Sequence, residues 1–491
     1  MGTLQLTSIV PTNIKHQVLR SRHNEIKTNK FLLSVSSSLS MPNFQQADQI
    51  LPFSPQENQG NCACKNVAAI LFGNGSDCKL FPLMRRRSAG AIPLGAKYRL
   101  IDAVVSNCIN SNITKMFALT QFNSTSLNSH LTRTYSNVGL GREEFLQVIA
   151  ACQSPGNLNW FQGNADAVRR FLWMLEECPA TEFLILPGYH LYRMDYQEIL
   201  QLHHETRADI TISAIRSEER HDKGFGILKV NSDNKVIGLF EKDNTAFPLN
   251  QVGRLEISEE NNCITYASMG IYVISKEVMV KILREDFPWA NDFRSEVIPG
   301  AISLGMKVQA YVFDGYWENM QSIKGFYQAS MESTKTTDIK FDFCDRDSPL
   351  YTLPRRLPPT RITDAVITDS AIGDGCLLNR CRIKSSVIGI GTRIDDAVVI
   401  EDSILMGSDI YQEDLMQNME TETSEIPIGI GQGSLIRNAI IDKNARIGKR
   451  VMIINKDKIQ EGNREDDGYV IRDGIVIVTR SAIVPDGTVL L

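Results

Sequence analysis

Two hydrophobic patterns with different periods divide the chain into two halves. In residues 66–335, short runs of aliphatic and β-branched residues alternate with stretches of helical periodicity, which predicts an α/β domain around a largely parallel sheet. Ligands bind such sheets beyond the carboxyl ends of the strands, so the residues after Phe72, Thr120 and Gly188 are the first candidates for a site. The predicted strands are Val67–Phe72, Lys115–Thr120, Phe183–Gly188, Asp209–Ile215 and Gly270–Ser275, and a helix is predicted over Ala165–Cys178.

Residues 362–491 repeat their aliphatic positions every six residues. Such a repeat gives each flat face of a triangular coil one inward side chain, with small or polar residues at the corners, and it predicts a left-handed parallel β-helix. The stretch Tyr411–Glu425 interrupts the period and is predicted to be a loop that leaves the coil. Residues 336–361, which include the proline-rich stretch Pro349–Arg361, are predicted to be a linker. The repeating positions are Ile388, Ile394, Ile400, Leu435, Ile441, Ile447, Ile453 and Ile459.

Composition and charge narrow the class of protein. A hydrophobic content of 43% and a charged content of 22% are ordinary for a soluble globular protein. The net charge of −5 gives no indication of nucleic-acid binding, and no apolar stretch approaches the roughly 20 residues that a membrane span requires. Cys62 and Cys64 lie close enough for a disulfide or a metal role, but no second Cys or His pair has metal-site spacing, which disfavours a metal.

The first residues differ from the rest of the chain. Through Ser40 a single acidic residue, Glu25, accompanies five basic residues, and the stretch Ser34–Ser40 is rich in hydroxyl groups. A basic, serine-rich and acid-poor composition is typical of an organelle transit peptide. We therefore predict a transit peptide and disordered head within residues 1–55, with a plain disordered tail as the alternative.

Long specific motifs occur in both halves of the chain: Tyr98–Ser111, Leu119–Leu131, Trp160–Arg169, Tyr266–Ser275, Asn291–Ala301, Pro427–Gly431 and Ala439–Gly448. From about residue 66 to residue 491 they closely resemble the plant glucose-1-phosphate adenylyltransferase family, and its small subunit in particular. The resemblance implies a Rossmann-like nucleotidyltransferase sheet over residues 66–335, followed by the β-helix. It also implies a Mg²⁺-dependent reaction of ATP with glucose 1-phosphate to give ADP-glucose and pyrophosphate, a heterotetramer of large and small subunits, and a place in the plastid stroma.

The same resemblance implies roles for individual residues. Asp292 matches one of two metal-binding aspartates. Lys443 matches an activator-binding lysine of the β-helix, and Arg480 stands at the position of a second one and keeps its charge. The positions implied to bind the nucleotide are Gly73, Gly75, Gln121, Gln162 and Gly163, and those implied to bind the sugar phosphate are Glu241, Lys242 and Ser268.

The chain departs from the family pattern where the nucleotide is held. The nucleotide loop reads GNGSDCKL where the family has GGGxGTRL, so Asn74 and Asp77 replace glycines and Lys79 replaces an arginine. Asp77 brings a negative charge towards a triphosphate, and like charges at about 4 Å in a partly dry site repel by several kcal/mol. Ala89 stands in place of a phosphate-binding lysine, so one cation is missing.

The metal site departs from the pattern as well. Tyr189 stands where the family has the other metal-binding aspartate, and a neutral phenol is a poor ligand for Mg²⁺, which prefers carboxylate oxygens. Asp195 follows six residues later and is expected to lie outside the cleft. Arg294 replaces a glycine, while Asn319 and Gln321 replace an aspartate and a glycine.

These departures predict a small-subunit homologue that is inactive or very weakly active and that serves, if at all, as a non-catalytic partner in the heterotetramer. One alternative is an active adenylyltransferase with an altered metal site, which would need an unrecognised acid near Tyr189. Another is an acyltransferase, since hexapeptide β-helices also occur in that class. The absence of any histidine from Leu350–Leu491 disfavours acyl transfer, which requires a base in the coil.

Overall fold

The computed structural model describes residues 66–75, 79–135, 145–151, 159–216, 226–241, 264–335, 340–410 and 426–490. The predicted transit peptide, Cys62, Cys64, Asp77, Lys242 and the predicted loop at 411–425 lie outside these described residues. None of the helices within the described ranges combines the length and the apolar composition that crossing a bilayer requires.

The first domain alternates strands and helices, as the sequence predicts. Its described strands are β1 (Val67–Phe72), β2 (Pro93–Leu94), β3 (Tyr98–Arg99), β4 (Lys115–Thr120), β5 (Phe145–Ala150), β6 (Glu182–Pro187), β7 (His190–Tyr192), β8 (Ile210–Arg216), β9 (Gly226–Val230), β10 (Val236–Glu241), β11 (Ile264–Ser275), β12 (Val308–Val312) and β13 (Trp317–Asn319). Its described α-helices are α1 (Leu100–Asn110), α2 (Thr125–Tyr135), α3 (Asn164–Arg170), α4 (Leu172–Glu177), α5 (Tyr196–Thr206), α6 (Lys276–Lys281), α7 (Ile298–Ser303) and α8 (Ile323–Glu332).

The main sheet of this domain has the order β10-β9-β11-β6-β1-β4-β5, and β8 and β12 extend it from β11. Strand β1 is parallel to both β4 and β6, and β4 is parallel to β5, which confirms the predicted arrangement at the centre of the sheet. Strand β11, by contrast, runs antiparallel to β6 and β8. Alternate residues of β1 enter two separate hydrophobic clusters, one on each face, and this burial explains why the strand is apolar throughout.

The predicted helix over Ala165–Cys178 is divided in the structure into α3 and α4. The break falls at Phe171, whose φ of −109° and ψ of 14° leave the helical region. Its ring packs edge-on against Phe161 at a centroid distance of 5.9 Å. A further short element, the π-helix Phe293–Val297, begins after Asp292, whose side chain caps it by accepting from the Ser295 N–H at 2.9 Å.

The second domain is a coil of short parallel strands stacked into three sheets. Its inward positions are fully buried at Ile388, Ile394, Ile400 and Ile447, which confirms the six-residue period there. The described strands are β14 (Arg361–Thr363), β15 (Val366–Thr368), β16 (Ala371–Ile372), β17 (Leu377–Asn379), β18 (Arg382–Lys384), β19 (Val387–Ile388), β20 (Arg393–Ile394), β21 (Val399–Glu401), β22 (Ile404–Leu405), β23 (Gly429–Ile430), β24 (Leu435–Arg437), β25 (Ala439–Ile441), β26 (Arg446–Ile447), β27 (Met452–Ile453), β28 (Gly462–Arg464), β29 (Tyr469–Arg472), β30 (Ile475–Val478), β31 (Ile483–Val484) and β32 (Val489–Leu490).

Two of the predicted inward positions are wrong. Strand side chains alternate between faces, and in β24 it is Ile436 that is completely buried while Leu435 is only half-buried. Ile459 is 37% exposed, because the chain leaves the coil there before the antiparallel pair formed by β28 and β29. The six-residue period therefore locates the coil, but it does not fix the inward residue of every strand.

Several contacts join the two domains. The guanidinium of Arg87 pairs with the carboxylate of Asp442 in the β-helix, and both side chains are 3% exposed. A hydrophobic cluster shared by Leu83 and Ile92 of the first domain with Ile477 of the coil surrounds this region. The described part of the predicted linker lies against α1, and there the Tyr351 N–H donates to the Ser106 hydroxyl at 2.8 Å.

Candidate active site

A pocket of about 340 Å³ opens beyond the carboxyl ends of β1, β4 and β6, as the sheet topology predicts. Gly75 follows β1, Gln121 follows β4 and Tyr189 follows β6, so three separate crossovers bring these residues to one edge of the sheet. The pocket also collects most of the remaining predicted positions of the first domain, together with the departures at positions 74, 294, 319 and 321. These lining residues are Asn74, Gln162, Gly163, Ser268, Asp292, Arg294, Asn319 and Gln321.

Two of the other predicted positions, Gly73 and Lys79, do not line this pocket. Gly73 directly follows β1, and its N–H donates to the carbonyl of Leu119 at 3.0 Å. Glu241 is the last residue of β10, and Lys242 lies outside the described residues. The side chain of Lys79 is exposed and does not line the pocket, while its backbone N–H donates to the carbonyl of Gln321 at 2.8 Å.

Ala89 lies in the protein interior rather than in the pocket. Its methyl group is completely buried in the hydrophobic cluster that contains Leu80 and Leu83. Its backbone N–H donates to Oδ1 of Asn74 at 2.8 Å, and this contact holds the nucleotide loop. Ala89 therefore supports the nucleotide loop through its backbone, and its side chain carries no positive charge that could bind a phosphate.

The ring of Tyr189 fills the space beside the nucleotide loop. A Cβ atom added to Gly75 would lie 2.7 Å from Cζ and Oη of Tyr189 and 2.9 Å from Nε2 of Gln321. The ring also packs edge-on against His190 at a centroid distance of 4.9 Å, and His190 packs in the same way against Trp317 at 5.2 Å. The phenol thus occupies room between the nucleotide loop and the 319–321 segment.

Among the described residues that line this pocket, the implied pair of metal-binding carboxylates is reduced to one. Asp292 remains from the implied pair, and its Oδ1 already accepts hydrogen bonds from the N–H and the hydroxyl of Ser295 at 2.9 and 3.1 Å. Among the described residues there is no group of three or more His, Cys, Asp or Glu side chains placed to hold a metal. Asp195 does not supply the missing acid, because it is exposed and caps α5 by accepting from the Gln197 N–H.

Arg294 places a positive charge in this pocket. Its side chain runs against strand β9, where a Cβ atom on Gly226 would lie 3.4 Å from Cδ of Arg294. Burial raises the pKa of the Tyr272 phenol, the Asp292 carboxylate raises it further, and Arg294 opposes them. The charges of Asp292 and Arg294 are therefore both close enough to the buried Tyr272 phenol to change its pKa, in opposite directions.

Sequence reasoning missed His190 as a lining residue. It is 5% exposed, and burial lowers its pKa to about 3, so the imidazole is neutral at physiological pH. Three buried polar atoms of this pocket have no hydrogen-bond partner among the described residues: Nδ1 of His190, Oε1 of Gln121 and Nδ2 of Asn74. The adjacency of His190 to Tyr189 in the sequence could have indicated its place, but its burial depends on β7 and β13, which pair antiparallel.

A second pocket, of about 420 Å³, holds the two predicted activator-binding residues. Asp409 pairs with Lys443 at 2.5 Å, with Arg480 at 3.1 Å and with Arg355 at 3.8 Å. Burial lowers the pKa of Lys443 to about 8, although Asp409 opposes that shift. Burial alone would raise the pKa of Asp409, but Lys443, Arg480 and Arg355 together bring it below its ordinary value.

The walls of this second pocket come from both domains. Arg99, at the start of α1, and Arg355, just before β14, face it together with Lys443 and Arg480 of the coil. Burial lowers the pKa of Arg99 to about 10, so it keeps its positive charge near neutral pH. Sequence reasoning missed Arg99, Arg355 and Asp409, because only the packing of the two domains brings them to Lys443.

Comparison with known proteins agrees with this architecture. A family model described as nucleotidyl transferase matches residues 68–336, and one described as the GLGC left-handed parallel β-helix domain matches residues 355–489, which confirms the predicted fold class and the hand of the coil. An Arabidopsis thaliana protein named inactive glucose-1-phosphate adenylyltransferase small subunit 2, chloroplastic, is 54% identical over 428 residues, covering 87% of this chain and 89% of the relative. A Triticum aestivum glucose-1-phosphate adenylyltransferase small subunit, chloroplastic/amyloplastic, is 50% identical over 438 residues, covering 87% and 91%.

Proposed function

This chain belongs to the family of plant glucose-1-phosphate adenylyltransferase small subunits, and we propose that within it the chain is a subunit without catalytic activity of its own. The observation that carries the proposal is the position of the Tyr189 ring, which fills the space against Gly75 where the family pattern has a metal-binding carboxylate. A single well-placed electrostatic group is worth about 3 kcal/mol or more in such reactions. A site without the carboxylate and without the lysine at position 89 lacks two such groups.

Identity to relatives does not decide between an active and an inactive chain. The relative whose name says inactive and the relative whose name does not are 54% and 50% identical to this chain, which are similar values. The decision therefore rests on the residues of the pocket. An active enzyme with an altered metal site would need a new acid beside Tyr189, and among the described lining residues Asp292 is the only carboxylate. We accordingly expect little or no Mg²⁺ binding in this pocket.

The location follows from the relatives. Their names place them in the chloroplast or the amyloplast, so the chain is assigned to the plastid. We propose further that it assembles with large subunits of the same family, since the sheet and the β-helix that build such subunits are both retained.

We also propose that the pocket around Lys443 and Arg480 binds an anionic effector. Arg99 and Arg355 line the same pocket, and Asp409 is the carboxylate that pairs with three of its cations. Arg87 and Arg133 line it as well, so the described lining has six cations around one carboxylate. The resulting net positive charge favours a further anion.

The test of the catalytic proposal is an ADP-glucose synthesis assay with ATP, glucose 1-phosphate and Mg²⁺. The purified chain alone should show no turnover above background, and a glucose-1-phosphate adenylyltransferase with measured turnover, assayed in parallel, provides the positive control. The chain should also be coexpressed with a large subunit, and coelution on a sizing column would support assembly. Turnover by the chain alone at about 1–1000 per second, the ordinary range for enzymes, would overturn the proposal.

A further inference from the structure

We infer that the amine of Lys443 takes up carbon dioxide as a carbamate, which makes this lysine a site of reversible covalent modification in the second pocket. The nitrogen lone pair attacks the carbon of CO₂, one C–O π pair moves to oxygen, and the nitrogen loses a proton to solvent. Lys443–NH₂ and CO₂ thus give Lys443–NH–COO⁻ and H⁺, with no oxidant or reductant. The inference rests on the cationic pocket of the proposed function and goes beyond it, because the adduct forms without an effector.

The first support is the crowding of positive charge around this amine. The Lys443 side chain is 8% exposed, and its Nζ pairs with Asp409 at 2.5 Å. The same carboxylate pairs with Arg480 at 3.1 Å and with Arg355 at 3.8 Å, so three cations share one anion. Both guanidiniums keep their charge at any physiological pH. Lys443 is therefore the member of this group that can become neutral without leaving Asp409 unpaired.

The second support is the amount of neutral amine, since only the neutral form has the lone pair that attacks CO₂. Burial lowers the pKa of Lys443 to about 8, although Asp409 opposes that shift, and Arg355 and Arg99 lower it further. About half of the Lys443 side chains are therefore neutral near pH 8. An unperturbed lysine has a pKa of about 10.4, so only about 0.4% of it is neutral there. Lys443 thus has a roughly hundredfold advantage over an exposed lysine.

The third support is that the pocket stabilises the anion that forms. Its volume of about 420 Å³ leaves room for the added carboxylate, and a guanidinium fork matches the two oxygens of a carbamate. Asp409 is the only carboxylate among the described lining residues. Modification of Lys443 therefore leaves five cations facing two anions, and the lining stays positive whether His130 is neutral or charged. The five remaining cations are Arg87, Arg99, Arg133, Arg355 and Arg480.

Carboxylates behind the lining do not reverse this balance. Asp442 forms a buried ion pair with Arg87, and Asp102 accepts from Nε2 of His130 at 2.5 Å. If Arg87 and Asp442 are counted as a neutral pair, four guanidiniums still face Asp409 and the carbamate. The carbamate accordingly replaces one shared cation by an anion in surroundings that remain electrostatically favourable to it.

The decisive experiment is chemical trapping of the carbamate on the full chain. The protein is equilibrated with isotopically labelled CO₂ near pH 8, treated with triethyloxonium to convert a carbamate into a stable ethyl ester, and digested for mass spectrometry. We expect the labelled ester on the peptide that contains Lys443, at an occupancy at least about tenfold above that of exposed lysines, because of the difference in neutral amine. The ester should be absent when the buffer is freed of CO₂ before trapping.

Lys449 provides the matched control, because it lies in the same coil but is exposed and does not line the pocket. Lys443→Arg should abolish the trapped ester, whereas Lys449→Arg should leave the labelling of Lys443 unchanged. Asp409→Asn should raise the labelling of Lys443 at least about twofold, because it removes the carboxylate that holds the proton on the amine. Arg355→Gln should lower it, since that guanidinium both favours the neutral amine and faces the carbamate. Circular dichroism on every variant separates these effects from loss of folding.

Three outcomes would overturn the inference: no labelled ester on Lys443, equal labelling of Lys443 and Lys449, or no increase in the Asp409→Asn variant. Sulfate binding in a buffer without CO₂ tests the proposed effector pocket separately. Sulfate binding without a trapped carbamate would overturn this inference and leave the effector proposal standing, and a carbamate without sulfate binding would do the reverse. None of these outcomes depends on turnover, so the non-catalytic proposal is decided by its own assay.

Discussion

The buried ion pair between Arg87 and Asp442 allows a direct test of how the two domains are joined. Both side chains are 3% exposed, and Nε of Arg87 also donates to the carbonyl of Leu83 at 2.9 Å. Arg87→Met keeps much of the aliphatic volume but leaves the Asp442 carboxylate buried without the guanidinium. Removing one partner of a buried ion pair typically lowers the free energy of unfolding by about 3–5 kcal/mol, because an uncompensated charge stays in the interior.

Arg85 provides the control for this prediction. It lies two residues away and also pairs with the β-helix, through Glu465 at 2.8 Å, but its side chain is 54% exposed. Exposed ion pairs contribute about 0–1 kcal/mol, so Arg85→Met should change the free energy of unfolding by no more than that. The measurement is urea unfolding of each variant, followed by tryptophan fluorescence and checked by circular dichroism.

The double variant Arg87→Met/Asp442→Asn separates the loss of the pair from the penalty of a buried charge. It should be more stable than Arg87→Met alone, because the asparagine side chain is neutral and no charge is left without a partner. The reasoning is refuted if Arg87→Met and Arg85→Met lose equal amounts of stability, or if the double variant is no more stable than Arg87→Met.

Three further predictions concern the two pockets and the coil. Tyr189→Asp alone should leave ADP-glucose synthesis at background, because the groups that hold the triphosphate act together. Turnover restored by this single replacement would contradict the prediction. The affinity of the Lys443 pocket for sulfate, measured by thermal shift, should fall as the pH rises through about 8, because Lys443 loses its charge at its lowered pKa. The Lys443→Arg variant should not show this pH dependence, because arginine stays charged. Ile436→Ala should lower the free energy of unfolding by about 2–5 kcal/mol and Leu435→Ala by clearly less, and equal losses would refute the register of β24.

The sequence by itself determined the two architectures and the chemistry that is missing. The alternation of apolar runs located β1, β4 and β6, and the six-residue period located the coil, because periodicity along the chain records which side chains a regular element must bury. The loss of an acid at Tyr189 and of a cation at Ala89 was equally visible, since each is a change of residue type at one position in a specific motif. These inferences need no knowledge of which segments meet in space.

The tertiary structure alone decided what those changed residues contact. The Tyr189 ring reaches Gly75 because β6 pairs beside β1, and Arg294 joins the same pocket from an element more than a hundred residues further along the chain. Asp409 meets Lys443 because the coil and the first domain pack together at the second pocket. Such contacts depend on strand order, on register and on where a turn ends. Strand β24 illustrates this, because the six-residue period predicts that Leu435 is buried, whereas the structure buries its neighbour Ile436. A local pattern cannot specify them, because a shift of one residue in a strand reverses the face to which every side chain points.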